Sequence, residues 1–351
     1  MAALKFKPIL SGAAVGALVA VLAGCATPPP PPAPPAPLPP APAPADLTLS
    51  PAIIQSAAAY QAFIARSTAI KPDFANGDDV EHRLQTGESF DPAIMTRGEI
   101  AFAAVVALQE PTFVAEIRNY SMNESARAEL ARTIAADPNY ATGFRGANAA
   151  AGLIIAAMTT QGQGLQDEGE AVRLSAYGVQ RQEWSKVFVP DLAGRLSLAK
   201  TTSANVPTAS TEDAERERQA AIGYAPLLLP VHAPAASPPY PPAVVRGLAI
   251  AALALLGHAG EADAAITEPM FADPPDQTCL NMAKLNLYQC LAVAKPYYED
   301  IFCLGQHAMK DTGQCLRMAA GAPPPAVEFI PPTQSAKTPV KPVKKRRKKG
   351  D

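Results

Sequence analysis

Apolar residues recur at helical spacing through most of the middle of this chain. Ile53, Ile54, Ala57, Tyr60 and Ile64 share one helical face. Ser50-Pro51 opens that run, with a capping hydroxyl ahead of a proline whose fixed φ suits the first helical position. Asp91-Pro92 repeats the device and predicts a helix to about Leu108, which Gly98 weakens without ending. Pro111 marks a restart. Ser121 with Glu124 three residues on has the form of a capping box and predicts a helix to about Ala136, before Asp137-Pro138 interrupts. Gly143-Phe144-Arg145-Gly146 reads as a turn. Residues 147–158 are almost all Ala, Leu, Ile and Gly, the composition of a buried helix too short to span a membrane. Residues 165–187 are amphipathic and hold the only tryptophan, Trp184.

Residues 200–210 read as a loop and 211–222 as an exposed helix. Seven prolines in 226–242 then break regular structure. Residues 243–267 read as helix, tight turn, helix. The small residues around Leu255-Leu256-Gly257 and Gly260-Glu261-Ala262 resemble one tetratricopeptide-type hairpin, but no second copy follows at a 34-residue period, so a generic αα-hairpin is predicted. Strand alternation and Asn-Gly hairpin turns are missing from the pattern. The predicted fold is all-α: a multi-helix globular domain with a C-terminal disulfide-linked helical hairpin, flanked by disordered proline-rich segments.

That hairpin follows from four cysteines, Cys279, Cys290, Cys303 and Cys315. Residues 276–294 read as one helix and 297–310 as a second, divided at Pro296. Cys279 and Cys290 then stand roughly 16 Å apart at 1.5 Å per residue, whereas a disulfide needs Cα atoms within about 7 Å. An antiparallel hairpin instead pairs the near-turn cysteines, Cys290 with Cys303, and the far ones, Cys279 with Cys315. The interval of eleven residues on the first arm returns to nearly the same helical face. Twelve on the second is about 120° off, which places Cys315 past a helix end, with Gly313 as the stop. The layout resembles helical hairpins held by twin cysteine pairs, though their usual nine-residue interval is not kept. Cys303 and His307 at i, i+4 raise a metal reading, but the other sulfurs lack short zinc-site spacing, so no metal is expected. No C-x-x-C redox motif is present.

Composition places this body in a larger layout. Twelve of the 38 prolines fall in 28–44 and seven in 323–342. Residues 1–7 are short and basic, and 8–23 are apolar and uncharged, the form of a secretory signal. Leu22-Ala23-Gly24-Cys25 resembles the lipobox of bacterial lipoprotein precursors. The resemblance implies cleavage before Cys25 and lipid on its thiol and new amino group, several acyl chains holding firmly where one holds marginally. Residue 26 is Ala rather than the Asp that retains such proteins at the inner membrane, so the implied address is the outer membrane with the body in the periplasm. The expected layout is signal peptide 1–24; lipidated Cys25 and proline tether 25–46; helical domain 47–222; proline-rich loop 223–242; helical hairpins with four cysteines 243–320, in the same domain; basic proline-rich tail 321–351.

Charge is divided unevenly. The whole chain sums to −2, but residues 25–336 carry −11 and the last fifteen +7. The run Lys344, Lys345, Arg346, Arg347, Lys348, Lys349 is a candidate contact for anionic envelope polymers or headgroups. The acidic body opposes a nucleic-acid partner.

Catalytic motifs are scarce. G-x-S-x-G, H-E-x-x-H and Walker patterns are missing. His82 follows Asp78 and Asp79 by four and three residues, spacing that would set a carboxylate beside an imidazole on a helix or leave all three on a solvated face. His232 and His258 have no recognisable partner. No cofactor is expected. The sequence therefore points to a lipid-anchored binding or scaffold module of the envelope. The alternative is an envelope hydrolase with a carboxylate/His site between helices.

Overall fold

Cap and proline chemistry sets where the helices begin. The computed structural model describes residues 46–204, 209–223, 227, 229 and 233–323. Residues 1–45, with the expected signal, Cys25 and all but the last residue of the expected tether, lie outside them, as do His232 and the Lys344–Lys349 run. Ser50 Oγ accepts from the Ile53 N–H at 3.3 Å and starts α1 (Pro51–Thr68). Asn76, Asp91 and Glu110 cap α2 (Gly77–Glu88), α3 (Pro92–Ala107) and α4 (Pro111–Ser121). The expected Ser121 box does not form. Ser121 is still inside α4, its Oγ donating to the Arg118 carbonyl, and Asn123 caps α5 (Glu124–Ala136) by accepting from the Ala126 N–H at 3.1 Å.

Gly146, at φ 87°, turns the chain into α6 (Ala147–Val179). This one helix joins the two stretches that the sequence pattern separates, and Trp184 falls outside it in a single 3-10 turn. α7 (Leu192–Ala204) takes up the first half of the predicted 200–210 loop. α8 (Thr211–Ala221) starts at the Ser210/Asp213 capping box and is not a free surface helix, because Glu217, Ala220 and Ala221 are buried. α9 (Pro242–Leu255) is the first arm of the predicted αα-hairpin. Its second arm is not one helix: α10 (Ala264–Thr267) sits between two 3-10 turns, where Pro269 removes a helical donor. α11 (Pro274–Val293), α12 (Tyr297–Cys303), a π-helical segment Leu304–Asp311 and α13 (Thr312–Ala319) complete the chain. Among the described residues there are thirteen α-helices and no strand.

One hydrophobic core runs through these helices. Its centre is α3 against α9, both buried along almost their whole length. Each large apolar side chain fully buried there contributes roughly 1.5–3 kcal/mol. Close approach needs small residues. A Cβ on Gly98 would come within 2.7 Å of the Tyr60 Cβ, and one on Gly247 within 2.5 Å of the Ala103 Cβ.

The C-terminal hairpin carries the predicted disulfides, Cys279–Cys315 with Cα atoms 5.6 Å apart and Cys290–Cys303 with 5.7 Å. Cys315, however, is inside a helix, and Gly313 is no stop. The π segment explains both. Its wider i→i+5 turn takes up one extra residue, so the twelve residues from Cys303 to Cys315 cover about the same three turns as the eleven from Cys279 to Cys290. The same extra residue aligns the chain with α6. Gly162 and Gly169 stand seven apart on α6, and their partners Gly305 and Gly313 eight apart. A Cβ on Gly313 would meet the Gly162 carbonyl oxygen at 2.6 Å, and one on Gly305 the Gly169 oxygen at 2.7 Å. Backbone therefore touches backbone at both crossings.

Candidate functional site

The strongest concentration of chemistry lies in a cleft of about 360 Å³ whose lining includes Asp78, Glu81, Glu88, Asp191, Arg195 and Tyr297. α2 supplies one wall and the segment leading into α7 the other. That segment is tied to the start of α12: Phe188 bridges Pro296, the Val189 N–H donates to Lys295 O at 2.8 Å, and the Tyr297 N–H donates to Val187 O at 3.2 Å. Gly77 lets the Tyr297 ring cross the first turn of α2, since a Cβ there would lie 2.4 Å from the ring. The Tyr297 hydroxyl then donates to Glu81 Oε1 at 3.3 Å.

Arg195 and Glu88 line the floor, and each has a buried charged neighbour that does not, Asp300 and Lys284. Arg195 donates to Asp300 Oδ1 at 2.5 Å, with side chains only 5% and 0% exposed. Its other terminal nitrogen donates to the Leu291 and Ala294 carbonyls, satisfying orphan acceptors at the end of α11. Burial pushes the Asp300 carboxyl up to about 6, against the pull of Arg195. Beside it, the Lys284 ammonium donates to the Glu88 main-chain oxygen and to Ser203 Oγ, and sits 3.7 Å from the Phe90 ring centre. Burial pushes the Glu88 carboxyl up and the Lys284 ammonium down, and their opposite charges oppose both shifts.

Three buried atoms of this group, Glu88 Oε2, Arg195 Nε and Asp300 Oδ2, have no hydrogen-bond partner among the described residues. Each such atom costs about 1–3 kcal/mol when left unmet. Glu88 is 1% exposed yet lines the cleft, so its unmet oxygen stands just beneath the cleft surface.

Removing one member of the ion pair strands the other. Asp300→Ala is expected to lower the unfolding free energy by about 3–5 kcal/mol. The double change Arg195→Met with Asp300→Leu is expected to recover most of that loss in urea titrations, because it leaves no buried charge. An equal loss in the double variant would show that packing, not charge, sets the cost.

Asp78 lines the cleft, but His82 is exposed on α2 away from it. Asp79 accepts from Arg83 Nε at 2.7 Å and from the Ala75 N–H at 3.0 Å, so it does not orient an imidazole. His258 does have a partner, its Nδ1 lying 3.5 Å from Asp263 Oδ1. His307 Nδ1 is 2.8 Å from Asp311 Oδ2, and Cys303, its i−4 neighbour, is spent in a disulfide. Among the described residues no group of three or more His, Cys, Asp or Glu could hold a metal ion.

Glu88, Lys284, Arg195 and Asp300 were not read from the sequence. A signal for two of them was present. Glu88 ends the apolar stripe Val80-Leu84-Glu88, and Lys284 interrupts Leu280-Lys284-Leu287-Leu291, so each is a charge on a core-facing row.

A second cavity, of about 430 Å³, lies on the other side of the first turn of α12. Tyr177, Val293, Tyr298 and Phe302 line it together with the Cys290–Cys303 disulfide. Tyr177 and Val293 are 52% and 75% exposed, an apolar rim beside the acidic cleft. No family model, curated protein or solved structure matches the chain.

Proposed function

We propose that this chain is a lipid-anchored binding module of the bacterial cell envelope, held at the outer membrane through Cys25, whose acid-rimmed cleft receives a cationic group of a partner. The observation that carries the binding role is the cleft itself. Three of its lining carboxylates, Asp78, Glu81 and Asp191, face one lining cation, Arg195, which is already paired with Asp300. An amine or guanidinium entering there meets net negative charge, with the unpaired Glu88 oxygen just beneath the lining. The resemblance of Leu22-Ala23-Gly24-Cys25 to a lipobox supports the anchor, and two disulfides suit an oxidising compartment. His82, the base a hydrolase reading calls for, stands outside the cleft, which favours binding over catalysis. The Lys344–Lys349 run is a second proposed contact, with anionic envelope surfaces.

Hexalysine tests the cleft. Titrated into the full-length chain in a calorimeter, it is expected to bind saturably, with a Kd at least tenfold higher in the Asp78→Asn/Glu81→Gln variant and rising with salt. Binding of equal strength in that variant would put the cationic site elsewhere, and absence of binding both to the full-length chain and to one in which the Lys344–Lys349 run is replaced by Gln would end the proposal.

A further inference from the structure

The chain carries its own cationic segment of the kind this cleft suits. We infer that the C-terminal segment 323–349 of the same chain docks across the two cavities that flank α12. Its prolines lie over Tyr177, Tyr298 and Phe302, and Lys344–Lys349 lie in the Asp78–Glu81–Asp191 cleft. The inference rests on the proposed binding role of that cleft and names its occupant.

Three observations carry it. The first is charge: a body of −11 ends in a run of six consecutive cations, and the cleft offers three lining carboxylates beside an unpaired, 1% exposed Glu88. The second is reach. The described chain ends beside Pro241, where α13 meets the start of α11: Gly321 packs on Pro241, and Met318 and Ala319 share a small cavity with Pro242 and Cys279. The cleft floor is at the other end of α11, where Arg195 holds the Leu291 and Ala294 carbonyls. α11 has 20 residues and spans about 30 Å. The 20 residues from 324 to 343 span up to about 60 Å in an extended proline-rich conformation.

The third is order. Proline-rich segments bind grooves lined by aromatic rings, and the seven prolines of 323–342 precede the cations, as the aromatic cavity neighbours the acidic one. Tyr297 lines one cavity and Tyr298 the other, so a single segment crossing the first turn of α12 touches both. Docked in this way, the tail competes with any external cationic partner.

A zero-length carbodiimide cross-link on the full-length chain reads this contact directly. The reagent joins a lysine amine to a carboxylate as an amide and carries off the water as a urea. Peptide mapping is expected to find Lys344, Lys345, Lys348 or Lys349 joined to Asp78, Glu81 or Asp191, with these products lost at high salt. In a mixture of ¹⁵N-labelled and unlabelled chains each product is expected to carry one label only. Mixed-label products would assign the tail to a second copy. Products spread evenly over surface acids such as Glu129 and Glu212, or none, would remove the contact altogether.

Hexalysine then separates this inference from the reading beneath it. A full-length variant carrying Lys344→Gln, Lys345→Gln, Arg346→Gln, Arg347→Gln, Lys348→Gln and Lys349→Gln together is expected to bind hexalysine about tenfold tighter than the unchanged chain. Equal affinity in the two chains would overturn the tail docking and leave the cleft as a cation site. No binding in either would overturn both.

Discussion

The unfolding free energy of this protein is expected to fall by at least about 5 kcal/mol as pH rises from 5 to 7. Most globular proteins have no such slope in this interval, because their carboxyls are already ionised in both states. Here burial pushes Asp276 and Glu217 up to about 7 and Asp300 up to about 6, from ordinary values of 3.8, 4.5 and 3.8, and it pushes Glu88 and Glu99 up as well. Each holds a proton in the folded state that it has lost in the unfolded chain. The stabilisation this provides is complete below the unfolded value and disappears as pH climbs through the folded one.

Opposing groups are silent in this interval. Lys284, pushed down by burial, is charged in both states below about pH 7. Glu170, held at about 2 by Arg173 and Lys310, loses its contribution only below the ordinary carboxylate range. Urea titrations at pH 5, 6 and 7 measure the slope. Asp276→Asn, which still accepts from Thr96 Oγ1, is expected to flatten it by about 1.4 kcal/mol per pH unit. A flat or rising profile for the unchanged chain would show that these carboxyls reach water.

Reduction of both disulfides is expected to cost about 6 kcal/mol. In the chain-entropy view the inner bridge, with a separation of 13 residues, contributes about 3 kcal/mol and the outer, with 36, about 4 kcal/mol. The sum falls slightly short because the inner bridge already shortens the outer loop. Loss should spread from α11 to α6, since the π segment and α13 that the bridges hold in register are the partners of Gly162 and Gly169. Thermal unfolding with and without reductant, beside Cys279→Ser/Cys315→Ser and Cys290→Ser/Cys303→Ser variants, separates the two contributions. Unchanged melting on full reduction would mean that core packing alone sets the hairpin.

How far the sequence reached depended on whether the deciding interaction was local. Ser50-Pro51, Asp91-Pro92 and Pro111 mark true helix starts because capping is settled within three residues. The Ser121 box was wrong for the same local reason: Asn123 is a better cap one residue before Glu124. The disulfide pairing was legible because helical rise excludes Cys279–Cys290 whatever else the fold does. The position of Cys315 was not, because nothing local marks the π segment. Its extra residue is fixed by backbone contact with α6 at Gly305 and Gly313, a partner some 140 residues away.

The cleft was legible only at Asp78, and there for an unrelated reason, its spacing from His82. Arg195, Asp300 and Lys284 are brought together by α7, α11 and α12, and no spacing within one segment joins them. What sequence does carry is the anomaly of a charge on an apolar stripe, at Glu88 and at Lys284. Both mark places where the fold keeps a buried polar group at a cost that packing does not require.

The proposed anchoring rests on Cys25, whose lipid would hold the acid-clefted, disulfide-held body at the envelope surface. Cells fed labelled palmitate and expressing the full chain or its Cys25→Ala variant test this most directly. The account predicts label on the unchanged chain in the outer-membrane fraction, none on the variant, and oxidised cysteines in both wherever they have been exported. An unlabelled full-length chain would contradict it.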